Sequence, residues 1–390
     1  MAHIRRTDAG GWQVRYRDPG GRERARTFNR KTDAERFSVT VETDKIRGMW
    51  ADPRLAKITV GEWLPTWQAS RVHLRPSTRA LSESLLRNHV LPYFGDRRLG
   101  SVTPTDVQGF VAHLEEKGLA ASTVRQCYLL VAGLFSSALD SDIVVRSPCR
   151  GINLPEYSKT EMRFLTADEV TDLSAVIDQR YRALVLAAAY AGCRFGELAG
   201  LKVHRLDLLR RTLTVTEALS EVRGQVRLAP PKTTAARRQL ALPRFLAEEL
   251  NHHLTTWPPG ADGFVFTAPQ GGPLLRRNFR RRAWLPAVRA SVGEPLRTHD
   301  LRHTHAAFLI AQGEHPKVIQ NRLGHSSIKV TLDTYGHLFD GLDEAAAERL
   351  DDLFSSPAHS SRKPPLTRVT ERSAHFTPGR ENQRVAEMRQ

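Results

Sequence analysis

Thr59, Thr103 and Thr166 are each followed three residues later by an acidic side chain, Glu62, Asp106 and Glu169. At that spacing the hydroxyl caps a helical amide while the carboxylate reaches back to the threonine amide, so each pair marks a helix start. Apolar stripes follow. Trp63 and Trp67 come after the first start; Val107, Phe110, Val111 and Leu114 come after the second and stop at Gly118. Between them, residues 77–94 carry Leu81 and Leu85 one turn apart. A fourth helix from near Ser122 buries Val124, Cys127, Val131, Leu134, Phe135 and Ala138. Four short helices joined by polar loops predict a bundle over residues 58–155, with 146–155 as the linker leading out of it.

Upstream, Trp12, Val14 and Tyr16 alternate with Gln13, Arg15 and Arg17, and Asp18-Pro19-Gly20-Gly21 supplies turn chemistry before a second strand over residues 22–28. Thr32 is expected to cap a helix carrying Ala34, Phe37 and Val41. Residues 1–57 hold 14 Lys/Arg against 8 Asp/Glu, a net of +6, so this small sheet-plus-helix module is strongly cationic. Such a sheet face suits a DNA major groove; its ordinary alternative is a solvated hairpin face.

The third region, residues 160–354, opens with Thr166 and continues in an apolar helix over 181–191 that Gly192 breaks. β-Branched runs at 212–216 and 222–228, a Pro230-Pro231-Lys232-Thr233-Thr234 turn and a return strand over 238–242 predict one small antiparallel sheet within a mostly helical domain. Leu342, Ala346, Leu350, Leu353 and Phe354 form one stripe of an acidic amphipathic helix. Residues 355–390 are polar and weakly patterned, as in a disordered basic tail. The fold class is therefore multidomain and mainly α, with small antiparallel β-sheets, which suits 390 residues at roughly 150 per domain.

A net charge of +16 points to a polyanionic partner, nucleic acid above all. Of the 58 basic residues 10 are lysines, and the arginines that remain bind phosphate bidentately, although a GC-rich genome also produces such a bias. Three widely spaced cysteines, Cys127, Cys149 and Cys193, give neither a disulfide framework nor a zinc site. No apolar run approaches a membrane span, so a cytoplasmic chain with no membrane partner is expected. GxxxxGK[ST] and GxGxxG loops are both absent, so no nucleotide cofactor is indicated.

Chemistry concentrates in a few short stretches. Arg194 and Glu197 stand three apart, so the carboxylate can orient the guanidinium. His299 and Arg302 share that spacing on a helix expected to begin at Thr298, where free amides favour an anion. Two arginines can hold both non-bridging oxygens of a phosphate, where charge gathers as phosphorus becomes five-coordinate. Tyr335 can attack once activated, and Lys232 can protonate the leaving oxygen. Singly, each has a plainer reading: a surface ion pair, core or metal-binding histidines, a solvated lysine, a packed tyrosine, and His325 after Gly324 as a helix end.

Their combination and order are similar to the tyrosine recombinases, the phage-integrase family: Gly192-x-Arg194-x-Gly196-Glu197-Leu198, Pro231-Lys232-Thr233, His299-x-x-Arg302-His303-Thr304, Leu323-Gly324-His325 and Tyr335. The resemblance implies that Arg194, Lys232, His299, Arg302, His325 and Tyr335 are catalytic, with Glu197 and His303 in support. It implies a 3′-phosphotyrosyl intermediate, a Holliday junction, no metal and no ATP. It also implies an N-terminal arm-site module, a helical core-site domain, a catalytic domain with a docking C-terminal helix, and a tetramer on double-stranded DNA. An excisionase or DNA-bending accessory protein and a nucleoid-associated location go with it. A type IB topoisomerase-like enzyme and a non-catalytic DNA-binding regulator are the alternatives.

Overall fold

The computed structural model describes residues 2–17, 21–46, 57–156, 161–231, 233–339, 346–348, 350, 351 and 354. The chain divides into two units, residues 1–335 and 336–390. Among the described residues of the first unit, three separate apolar clusters correspond to three successive stretches of sequence.

β1 (His3–Arg6), β2 (Trp12–Arg17) and β3 (Glu23–Phe28) form an antiparallel sheet in that order, with Val14 opposite both Ile4 and Arg26. The first strand adds to the two expected from alternation. Val14 and Tyr16 face α1 (Lys31–Ile46) and bury Ala34 and Val41 with it. Because α1 begins at Lys31, Thr32 lies inside its first turn instead of capping it.

The helical bundle comprises α2 (Val60–Ser70), α3 (Pro76–Leu85), α4 (Leu91–Phe94), α5 (Pro104–Glu116) and α6 (Ala121–Asp140); a π-turn, Leu86–Val90, joins α3 to α4. Thr59 and Thr103 each accept a bond from the amide three residues on, and Glu62 and Asp106 return it. All six α6 positions expected inside are buried, as is Leu85, but Leu81 is 52% exposed. The buried side of α3 runs through Ser82 and Leu85 and continues into Leu86 of the π-turn. The expected linker is partly fastened to the bundle: Gln108 Nε2 donates to Asn153 O, Asn153 N donates to Gln108 Oε1, and Tyr128 OH donates to Cys149 O.

The third stretch contains α7 (Ala167–Val176), α8 (Gln179–Ala191), α9 (Phe195–Ala199), β4 (Leu206–Asp207), β5 (Thr212–Val215), β6 (Ala218–Val222), β7 (Gln225–Ala229), β8 (Arg238–Ala241), α10 (Arg244–Thr256), α11 (Arg276–Phe279), α12 (Leu285–Ala290), α13 (Asp300–Ala311), α14 (Pro316–Leu323) and α15 (Ile328–Tyr335). Its strands form two sheets where one was expected: β4-β5-β8, and a separate β6–β7 hairpin turning through Arg223 and Gly224, both at positive φ. The hairpin leaves the other strands to lie against α9, and Glu83 of α3 pairs with Arg223 at its turn. The apolar α8 is buried on nearly every face at the centre of the cluster.

In the second unit, residues 346–348, 350, 351 and 354 are helical, and Leu350 and Phe354 are exposed. Leu342 and Leu353 of the expected stripe, and the tail over 355–390, lie outside the described residues. Among the described residues no helix is long and apolar enough to cross a membrane.

Candidate active site

The site begins where α8 ends. Gly192 takes a left-handed conformation at φ 69°, and a Cβ there would run into the His305 ring, so both backbone and packing require glycine. That sharp turn puts Arg194 at the start of α9. Its amide donates to Glu197 Oε2 (2.9 Å) and its Nη1 to Glu197 Oε1 (2.9 Å). Glu197 is buried; burial alone would raise its carboxyl, yet hydrogen bonds and charge from Arg238, then Arg194, hold it below the usual carboxylate range.

Arg302, on α13, is 2% exposed. Its Nη1 donates to Gly192 O (2.6 Å) and its Nη2 to Leu323 O, which ties the turn after α8 to the last turn of α14. Burial, then the charge of Arg194, pushes the guanidinium down to about 9. His299 sits at the N-cap of α13, one position before the helix body; the expected start at Thr298 is displaced because Asp300 accepts from the Arg297 amide. Burial, then His303, Arg302 and Arg194, pushes His299 down to about 4, so it is neutral at pH 7.

Tyr335 ends α15 at 1% exposure. Its hydroxyl lies 2.8 Å from His303 Nδ1, donating to it when the imidazole proton sits on Nε2. Its ring stacks parallel to His325, centroids 6.5 Å apart at 7°. Burial pushes the phenol up to about 12 against the pull of Arg302 and Arg194. His325 follows the left-handed Gly324 that stops α14, shares a 2.9 Å hydrogen bond between Nδ1 and Thr331 Oγ1, and is pushed down to about 4 by burial and then by Arg302.

Arg194, His299 and His325 line a cleft of about 890 Å³, together with Arg75, Arg227, Arg276, Arg280 and Arg297. Among the described residues Glu197 is the single acidic residue on that wall and it is already paired, so the cleft is cationic. Arg302 and Tyr335 stand behind the wall, near enough for each to bear on the other's ionisation. Lys232 lies outside the described residues; its neighbours Pro231 and Thr233 line the cleft.

Arg238, which pairs with Glu197, was not foreseen, although β8 carried a signal: it shares the strand face of buried Leu240. The cleft arginines Arg276 and Arg280 belong to a run, Arg276-Arg277-Asn278-Phe279-Arg280-Arg281-Arg282, that charge patterning alone could have singled out.

Family models match at two places: residues 163–341 match the phage integrase family, and residues 59–114 match the phage integrase N-terminal SAM-like domain. Together they span more than half of the chain. The chain belongs to the phage integrase family. It is a tyrosine recombinase, a site-specific integrase that breaks and rejoins DNA. The putative prophage phiRv2 integrase of Mycobacterium tuberculosis is 29% identical over 363 residues, covering 90% of this chain and 96% of the relative. Two solved structures share the fold. The Tn1549 transposon integrase in complex with a circular intermediate DNA superposes with TM-score 0.67 at 22% identity, over 75% of this chain and 99% of that one. A lambda integrase tetramer bound to a Holliday junction superposes with TM-score 0.57 at 18% identity, over 85% and 94%.

His305 is not part of the cleft lining. It is 3% exposed, shares a 3.1 Å bond between Nδ1 and Ala189 O, and accepts at Nε2 from Arg322 Nε (3.2 Å). Burial, then Arg322, pushes it down to about 3, so the folded chain excludes a proton that the unfolded chain binds below pH 6.5. Stability is therefore full above that pH and falls as pH drops toward 3. Between pH 7 and 5 this one group is expected to cost about 2 kcal/mol. Denaturant titrations at pH 7, 6 and 5 should show a smaller loss in His305→Gln, which keeps a donor and an acceptor but does not titrate.

Proposed function

We propose that this integrase cleaves DNA through a 3′-phosphotyrosyl bond at Tyr335, with the scissile phosphate in the cationic cleft. The observation that supports it most is that Arg194, His299 and His325 line one cationic cleft, while buried Arg302 and Tyr335 lie close enough to both Arg194 and each other for their charges to interact. Arg194 and Arg302 hold the non-bridging oxygens, and His299 and His325, neutral at pH 7, donate N–H bonds to them. The phenolic proton passes to His303, the base within hydrogen-bond distance of it, while His299 faces the cleft and orients the phosphate. Tyr335 oxygen then bonds to phosphorus as the bond to the 5′-oxygen breaks, and Lys232 supplies the proton that the leaving oxygen takes up. The covalent link conserves the phosphodiester energy, so rejoining requires no nucleotide.

Residues 1–57 form the arm-site module in this reading, 58–155 the core-site domain and 160–354 the catalytic domain. Four protomers assemble on core and arm attachment sites and pass through a Holliday junction, as the lambda integrase tetramer is bound to one. An excisionase or DNA-bending protein sets direction, and the enzyme works on the nucleoid. The test is to incubate the protein with a nicked attachment-site duplex in EDTA and run a denaturing gel. A covalent protein–DNA band at full yield is expected, since fixed guanidinium groups supply the charge; a requirement for Mg²⁺, or no band at all as from a non-catalytic regulator, contradicts the reading.

A further inference from the structure

Arg238 is a buried cation that the mechanism above leaves without a task. Its side chain is 6% exposed. It donates from Nη1 and Nη2 to the two carboxylate oxygens of Glu197 (3.2 and 2.9 Å), from Nε to Arg322 O (2.6 Å), and from Nη1 to Ala236 O (3.0 Å). These partners lie on α9, in the last turn of α14 beside the carbonyl that holds Arg302, and in the loop after residue 232.

The consequence falls on Arg194. A carboxylate facing a single arginine tends to a two-bond fork that occupies and neutralises it. Here Arg238 takes that fork-to-fork position on Glu197, and Arg194 is left with one side-chain bond, from Nη1 to Oε1. Among the described residues no other hydrogen bond holds Arg194 Nε or Nη2. With two guanidinium groups on one carboxylate, the cluster keeps a net positive charge, and Arg194 is the more exposed of the two, at 39% on the cleft wall.

We propose that Arg238 is a positioning residue: by occupying Glu197 it fixes Arg194 with its free N–H groups and uncompensated charge turned to the scissile phosphate. The inference rests on the reading of Arg194 as a phosphate-holding residue.

Single-turnover cleavage of a nicked attachment-site duplex is compared with the same duplex carrying a methylphosphonate at the scissile position. A methyl group there replaces one non-bridging oxygen and removes the charge that Arg194 must hold. Arg238→Met and Arg238→Lys, the second retaining charge in case the first does not fold, are measured beside wild type and Arg194→Ala. On the phosphate, both Arg238 variants are expected to cleave at least about tenfold more slowly at saturating DNA, with unchanged DNA affinity; on the methylphosphonate the deficit should shrink to about twofold. Equal deficits on both substrates, or none on the phosphate, overturn the role of Arg238. If Arg194→Ala is itself not rescued by the methylphosphonate, it is the underlying reading of Arg194 that fails.

Discussion

Tyr335→Phe is expected to abolish covalent trapping on a nicked attachment-site duplex while DNA affinity stays within about twofold of wild type, because only the oxygen proposed as the nucleophile is lost. The ring is buried at 1% exposure and stacks on His325, contacts that phenylalanine reproduces, so the fold is retained. Among the described residues the removed hydroxyl bonds to His303, and that half-buried imidazole can turn to water. Gel-shift affinity and denaturing-gel adduct yield, measured on the same preparation, separate binding from chemistry. A trapped adduct in this variant would refute the assignment.

Arg302→Ala is the second large effect. The substitution removes one of the two cations proposed to hold the phosphate, for which losing a single oxyanion donor gives the scale, roughly 10²–10³ in cleavage rate. It also strips Gly192 O and Leu323 O of their donor in a buried site, a cost of about 1–3 kcal/mol for each unsatisfied group. Single-turnover cleavage should therefore fall by at least the first factor, and the midpoint of denaturant unfolding should drop as well. Arg302→Lys separates the two contributions: it keeps a charge but cannot bridge both carbonyls, so it should recover little cleavage. Near-normal cleavage in either variant contradicts the account.

How far these features could be read from sequence depends on whether their causes are local. Thr59, Thr103 and Thr166 set their helices through bonds spanning three residues, and the stripes behind them are periodic, so the bundle could be laid out before any contact was known. The candidate residues were equally legible, since Gly192 with Arg194, and His299 with Arg302, each lie within one turn of chain. Leu81 failed because the buried side of α3 runs through Ser82 and Leu85, three apart, so the i, i+4 spacing of Leu81 and Leu85 did not by itself place both inside. One sheet became two because the β6–β7 hairpin packs on α9, where Gly196 lets the Leu219 carbonyl approach closely. Arg238 was passed over because its meaning depends on Glu197, forty-one positions earlier. The sequence placed His299 among the catalytic residues and His303 in support; three-dimensional placement brings His303 to the phenol and His299 to the cleft wall.

The most direct measurement is the chemical identity of the protein–DNA bond. Trypsin cutting after Lys329 and Arg349 releases residues 330–349, which contain Tyr335 and no other tyrosine. Digestion of the trapped adduct with nuclease and trypsin, followed by mass spectrometry, should place a 3′-phosphonucleotide on Tyr335 within that peptide. A nucleotide on any other residue, or one joined through its 5′-phosphate, would contradict the account.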